Sequence, residues 1–117
     1  VGRYYLTLGP GKDKGRVAHL VTLGTPHGGT AFSHLGIGRA QKELKPKTAF
    51  FERLRHAGVP TGTKVSVIWS KADALVWSAA QGRWEGVEDE LVFEKLGHVT
   101  LLYSRSVAQA VCRRLAR

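Results

Sequence analysis

Two short runs constrain this chain more than anything else in it. Val17 to Leu23 sets Val17, Val21 and Leu23 on one face of an extended strand and Ala18 and Leu20 on the other, with His19 interrupting the first face. Lys64 to Ser70, Lys-Val-Ser-Val-Ile-Trp-Ser, reads as a second strand. A strand that is apolar on both sides has no face to offer water, so it belongs inside a sheet covered above and below. Residues 24–63 separate the two runs and carry a helical pattern, so the connection is a crossover and the pairing parallel. A third, shorter strand is expected at Glu90 to Glu94, giving an α/β fold with strands at 17–23, 64–70 and 90–94.

The remaining elements follow from caps and breakers. Residues 3–8 read as the tail of a helix that Gly9-Pro10-Gly11 stops. Thr48 can cap a helix running to Ala57, with Phe50, Phe51 and Leu54 as its apolar residues and Arg55 and His56 suited to its C-terminus. Gly58 and Pro60 end it. Ser104 or Ser106 caps a final helix with Val107, Ala110, Val111 and Leu115 at helical spacing. Three strands make a thin sheet, which reads as part of a larger domain.

Composition narrows the class. With 117 residues the chain is one domain at most. No apolar run approaches the ~18 residues of a membrane span. The single cysteine, Cys112, excludes an internal disulfide and any multi-cysteine metal site, and reads as a small core residue of the last helix. No two histidines stand at helical ligand spacing, so no transition metal is expected. The net charge is +9. Residues 1–58 hold 10 basic and 3 acidic residues against 8 and 6 in residues 59–117. The basic residues are scattered and no nucleic-acid motif accompanies them, so a solvated basic surface is the plain reading and no specific nucleic-acid partner is expected.

In open α/β sheets, sites form beyond the carboxyl ends of the strands. The three strands here run into Gly24-Thr-Pro-His-Gly-Gly-Thr30, Ser70-Lys-Ala-Asp73 and Gly97-His98. Parallel strands put these loops on one rim, where Asp73 and His98 can meet. An aspartate that accepts a hydrogen bond from one imidazole nitrogen fixes the tautomer and leaves the other nitrogen as a general base for a nucleophile. The alternative for His98 is a structural histidine, and for Asp73 a turn residue. Glu88 and Asp89 are the rival acids, but they precede the last strand and belong on the opposite rim. The order acid then histidine is that of α/β-hydrolases, yet no G-x-S-x-G occurs in these residues.

The segment Val17-Ala-His-Leu-Val-Thr-Leu-Gly-Thr-Pro-His-Gly-Gly29 resembles the stretch that follows the nucleophile in bacterial triacylglycerol lipases and esterases of the α/β-hydrolase fold. Val1-Gly-Arg-Tyr-Tyr5 resembles the helix after their nucleophile elbow. Val67-Ile-Trp-Ser-Lys-Ala-Asp73 resembles their strand-to-acid loop, and Leu96-Gly-His-Val-Thr-Leu-Leu102 their catalytic-histidine loop. Trp77 stands where a proline is frequent after the acid.

The resemblance implies a C-terminal half of a serine hydrolase of carboxylic, lipid-type esters, with Asp73 and His98 as catalytic residues. The serine and the first oxyanion-hole donor would lie upstream, the elbow about five residues before Val1. It implies a single partial hydrolase domain over 1–117. Residues 28–62 would be a lid or pocket-wall insertion plus a helix, with the excursion at 30–47. Thr25, His27, Phe32, Leu35 and Ile37 are the candidate substrate-binding residues, Leu44 being a further apolar residue of the excursion. His27 reads mainly as a rim residue, because the His-Gly-Gly oxyanion motif of some lipases precedes the nucleophile. No cofactor is implied. The partners implied are an ester substrate, a lipid surface touched peripherally and the N-terminal half of the same protein, with an extracellular location compatible. The competing expectation is a non-catalytic accessory or binding chain derived from the same fold, whose basic surface serves anionic lipid or nucleic acid.

Overall fold

The computed structural model of the chain describes residues 1–12, 14–29, 48–74, 76 and 79–117. Among these, eight elements occur in the order α1 (Gly2–Thr7), β1 (His19–Leu23), α2 (Ala49–His56), β2 (Lys64–Ser70), α3 (Ala79–Gly82), β3 (Asp89–Phe93), α4 (His98–Tyr103) and α5 (Arg105–Leu115). The strands form one parallel sheet in the order β1-β2-β3. No described helix is long and apolar enough to cross a membrane. The expected excursion at 30–47, with Phe32, Leu35, Ile37 and Leu44, lies outside the described residues, as does Trp77.

The central strand accounts for the two-sided pattern. Val65, Val67 and Trp69 point to one face, where they pack with Val76 and Trp84 and with the half-buried Leu20, Val59, Val87 and Val92. Ile68 points to the other, with Leu101 of α4, Val107 and Ala110 of α5, and Val21, Leu23, Leu91 and Phe93 of the outer strands. Each fully buried aliphatic side chain of this kind contributes about 1.5–3 kcal/mol. Two small cores therefore hold β2 from above and below.

Element boundaries have local causes. β1 begins at His19 and not at Val17, because its ladder starts where β2 starts, with His19 opposite Lys64. Val17 and Ala18 are tied instead to the turn before β2: Thr63 Oγ1 donates to the Val17 carbonyl and the Lys64 amide to that of Ala18. β3 starts one residue before the expected Glu90, because Asp89 pairs with Ser66. Thr48 caps α2 by accepting the Phe51 amide, and Ser104 caps α5 by accepting that of Val107. Cys112, expected in the core, is instead exposed, because α5 packs on the sheet through Val107, Ala110 and Val111.

Candidate active site

Because the strands are parallel, β1, β2 and β3 all deliver their following loops to one rim. β1 leads into Gly24, β2 into Asp73, and β3 into Gly97 and α4, whose first residue is His98. There His98 Nδ1 lies 2.7 Å from Asp73 Oδ2. A carboxylate only accepts, so Nδ1 carries the proton and donates it, leaving Nε2 of the neutral ring as an acceptor. The Asp73 side chain is fully buried, while that of His98 is 39% exposed. The acid is thus sealed beneath the ring and the ring itself is open to a reactant.

The backbone around the pair is shaped to bring it together. Asp73 N–H donates to the Ser70 carbonyl, and the Asp73 carbonyl accepts from Val76, so the acid sits in a closed turn. Gly24 is held against β2 by its amide, which donates to the Ile68 carbonyl at 2.8 Å. Its φ of +54° is left-handed, and a Cβ there would stand 2.9 Å from Asp73 Oδ2 and 3.2 Å from His98 Nδ1. The pair therefore rests on bare backbone at the end of β1, and glycine is required both for the dihedral and for the approach.

The Thr25-to-Gly29 loop lies on the same rim. Thr25 and Pro26 are half-buried, and Gly28 N–H donates to the Gln81 carbonyl of α3. His27 is buried beneath this loop: its Nε2 is 3.1 Å from Thr22 Oγ1 and its ring stacks at 5.2 Å on Trp84. Arg3, from α1, lies 4.6 Å over the Trp84 ring and donates to the carbonyls of His27 and Leu54. Burial, with the Arg3 and N-terminal charges adding, lowers the His27 pKa from the ordinary 6.5 to about 3. Burial likewise lowers that of Arg3 to about 10. His27 is therefore a neutral ring inside the fold at any ordinary pH.

A second polar cluster occupies the opposite rim. His19 Nε2 lies 2.8 Å from Ser66 Oγ, Ser66 donates to Asp89 Oδ2, and Arg114 of α5 grips Asp89 with Nη2 at 2.7 Å and Nε at 2.9 Å. Asp89 thus serves Ser66 and Arg114 and lies away from His98. Burial pushes its carboxyl up, and the hydrogen bonds from Arg114 and Ser66 outweigh that and hold it below the usual range. Ser66 is fully buried. Sequence reading missed this cluster; its one signal was a serine at an inward position of an otherwise apolar strand.

Among the described residues no serine hydroxyl bonds to the His98 ring. Ser66 is at the far rim, Ser70 is fully buried under its own loop, and Ser104 and Ser106 bond to each other. No group of three or more His, Cys, Asp or Glu residues that could hold a metal occurs among the described residues either. Comparison with known proteins found no matching family model, no similar curated protein and no similar solved structure.

Proposed function

We propose that this chain supplies the acid and the base of a serine hydrolase that cleaves carboxylic esters, lipid-type esters being the class its motifs resemble. The observation that carries the reading is the 2.7 Å bond between His98 Nδ1 and a fully buried Asp73, at the carboxyl rim of a parallel sheet. Residues 25 apart in sequence on two different loops are not brought together by local structure. The Thr25-Pro-His-Gly-Gly29 loop beside them supports the same reading, as does the order of acid and histidine along the chain.

The nucleophile is a serine outside these 117 residues, whose hydroxyl meets His98 Nε2. As it attacks the ester carbonyl, Nε2 takes the hydroxyl proton and the carbonyl oxygen becomes an anion held by backbone amides. Collapse of that intermediate breaks the bond to the alkoxy group, which leaves as the alcohol with the proton from Nε2. The acyl group stays on the serine as an ester. Water then attacks it, again losing a proton to Nε2, and the acid departs as the serine regains its proton. Asp73 stays ionised throughout, fixing the Nδ1–H tautomer and stabilising the imidazolium of each transition state. A hydrolase-fold partial domain, with 28–62 as a lid or pocket-wall insertion plus a helix, belongs to this proposal, with Thr25, His27, Phe32, Leu35 and Ile37 as its substrate-binding residues. Buried His27 supports the wall from below.

The test is turnover of a p-nitrophenyl ester by the protein expressed with the coding sequence that precedes Val1. We expect an in-frame G-x-S-x-G there and saturable hydrolysis abolished by changing its serine. The 117-residue chain alone is expected to show no turnover above background. A start codon directly before Val1 would favour the accessory-chain reading, and hydrolysis by the chain alone that survives His98→Ala would put the chemistry on other residues; either result would overturn this reading.

A further inference from the structure

One buried hydroxyl joins the two loops that carry the Asp73–His98 pair. Ser70 ends β2 and is fully buried. Its Oγ accepts the amide of Ala72, next to Asp73, at 3.3 Å and the amide of Leu96, two residues before His98, at 3.1 Å. Its carbonyl accepts the amide of Asp73 itself at 3.2 Å. A hydroxyl oxygen has two acceptor sites, and here each takes an N–H from a different loop. Two other ties join the segments: a ladder bond, Lys71 N–H to the Phe93 carbonyl, on the strand side of both loops, and the exposed ion pair of Lys71 Nζ with Glu94 Oε1 at 2.8 Å. Of these, Ser70 Oγ is the buried one, a hydrogen-bonded bridge from the acid turn to the entry to α4.

From this we infer that Ser70 is a positioning residue: its hydroxyl sets the acid turn against the histidine loop and so fixes the length and line of the His98–Asp73 hydrogen bond. The inference rests on the hydrolase reading for its catalytic meaning, but its geometric content stands apart from it. Removing the hydroxyl takes from the part-buried amides of Ala72 and Leu96 the one acceptor that joins them, and the two loops then lose their common anchor. A shift of about 1 Å at a catalytic pair lowers turnover on the order of 100-fold without changing what binds substrate.

Ser66 is the built-in control. It is the other fully buried serine of β2, four residues earlier and at the opposite rim, and its hydroxyl bonds to side chains of the His19–Asp89 cluster. A merely structural loss would be the same at either serine.

The experiment is proton NMR of the 15N-histidine-labelled protein, following the downfield His98 Nδ1–H resonance, assigned by its absence in His98→Gln. Ser70→Ala is expected to abolish it or speed its exchange at least tenfold, while Ser66→Ala leaves it in place although its melting temperature falls. Because Ser70→Ala could unfold the chain, Ser70→Thr and Ser70→Val form a second pair. They share one shape and differ only in the hydroxyl, so Thr is expected to keep the resonance and Val to lose it. The inference is overturned if Ser70→Ala keeps the wild-type resonance and exchange rate, if Ser66→Ala loses it equally, or if Thr and Val behave alike. In the serine-containing protein, Ser70→Ala should lower kcat about tenfold or more with KM unchanged. Should the wild-type protein hydrolyse no ester while the NMR pattern holds, the function proposed above fails and the positioning role of Ser70 remains.

Discussion

At the amino ends of the strands, His19, Ser66, Asp89 and Arg114 form a chain of hydrogen bonds; at the carboxyl ends, His98 and Asp73 form one. Both rims thus hold a histidine and a carboxylate, and the amino rim even holds a serine between them. The direction of the protons separates them. Ser66 gives its proton to Asp89, so His19 must donate to Ser66, which is the reverse of what a base does to a nucleophile. Arg114 then neutralises the carboxylate with a two-pronged grip, tying α5 to the sheet. At the carboxyl rim the histidine donates to the buried acid and keeps a half-open ring with its second nitrogen available. Residue types alone would have ranked the amino rim as the better triad. Donor order and burial make it a clamp, and leave the other rim as the reactive one of the proposed function.

The sharpest way to break this comparison is to disarm each rim in the serine-containing protein. Asp73→Asn should lower kcat by about 10⁴, because the amide favours the wrong tautomer of His98, with stability little changed. Steady-state kinetics measure it. Next in size is Gly24→Ala, whose Cβ would fall 2.9 Å from Asp73 Oδ2 at a left-handed φ. It should cost about 1–2 kcal/mol of stability and on the order of 100-fold in kcat. At the amino rim Arg114→Ala should act the other way round. It leaves Asp89 without its guanidinium partner for about 1–3 kcal/mol, toward the lower end because Asp89 is a third exposed. Thermal denaturation should show a fall of several degrees while kcat stays within twofold.

The effect furthest from catalysis concerns acid stability. His27 is held neutral in the fold at a pKa near 3 against 6.5 in the unfolded chain. The unfolded chain therefore binds the extra proton between those values, and stability falls as pH drops below 6.5, by up to about 1.4 kcal/mol per pH unit. Asp89, held below its ordinary value, adds a loss only near and below pH 4. Melting temperature followed from pH 6.5 to 4.5 should thus decline in the wild type and flatten in His27→Gln.

Much of the sheet was legible because the strand runs are rich in β-branched and apolar residues, and the bounds of β2, 64–70, are those read from its residues. The parallel pairing followed from the long crossover, and with it the meeting of three loops on one rim. What escaped was set by partners distant in sequence. The start of β1 depends on where β2 begins, which no local pattern in 17–23 reveals. α4 escaped because it is six residues long, starts at Gly97 without a side-chain cap and stops where Ser104 caps α5. Its one sign was Leu101, three residues after His98, which the second core buries. The His19–Ser66–Asp89–Arg114 cluster joins four elements and exists only through register. Nor could the sequence tell that Gly24 underlies the Asp73–His98 pair, since that takes the end of β1 laid against two later loops.

The most direct test is kcat for ester hydrolysis by His98→Ala, measured with its melting temperature in the protein that contains the upstream serine. His98 is 39% exposed and outside both cores, so the variant should melt within a few degrees of the wild type while kcat falls by about 10⁵ or more. A kcat within tenfold of the wild type, in a variant that melts normally, would contradict the assignment of the carboxyl rim as the reactive one.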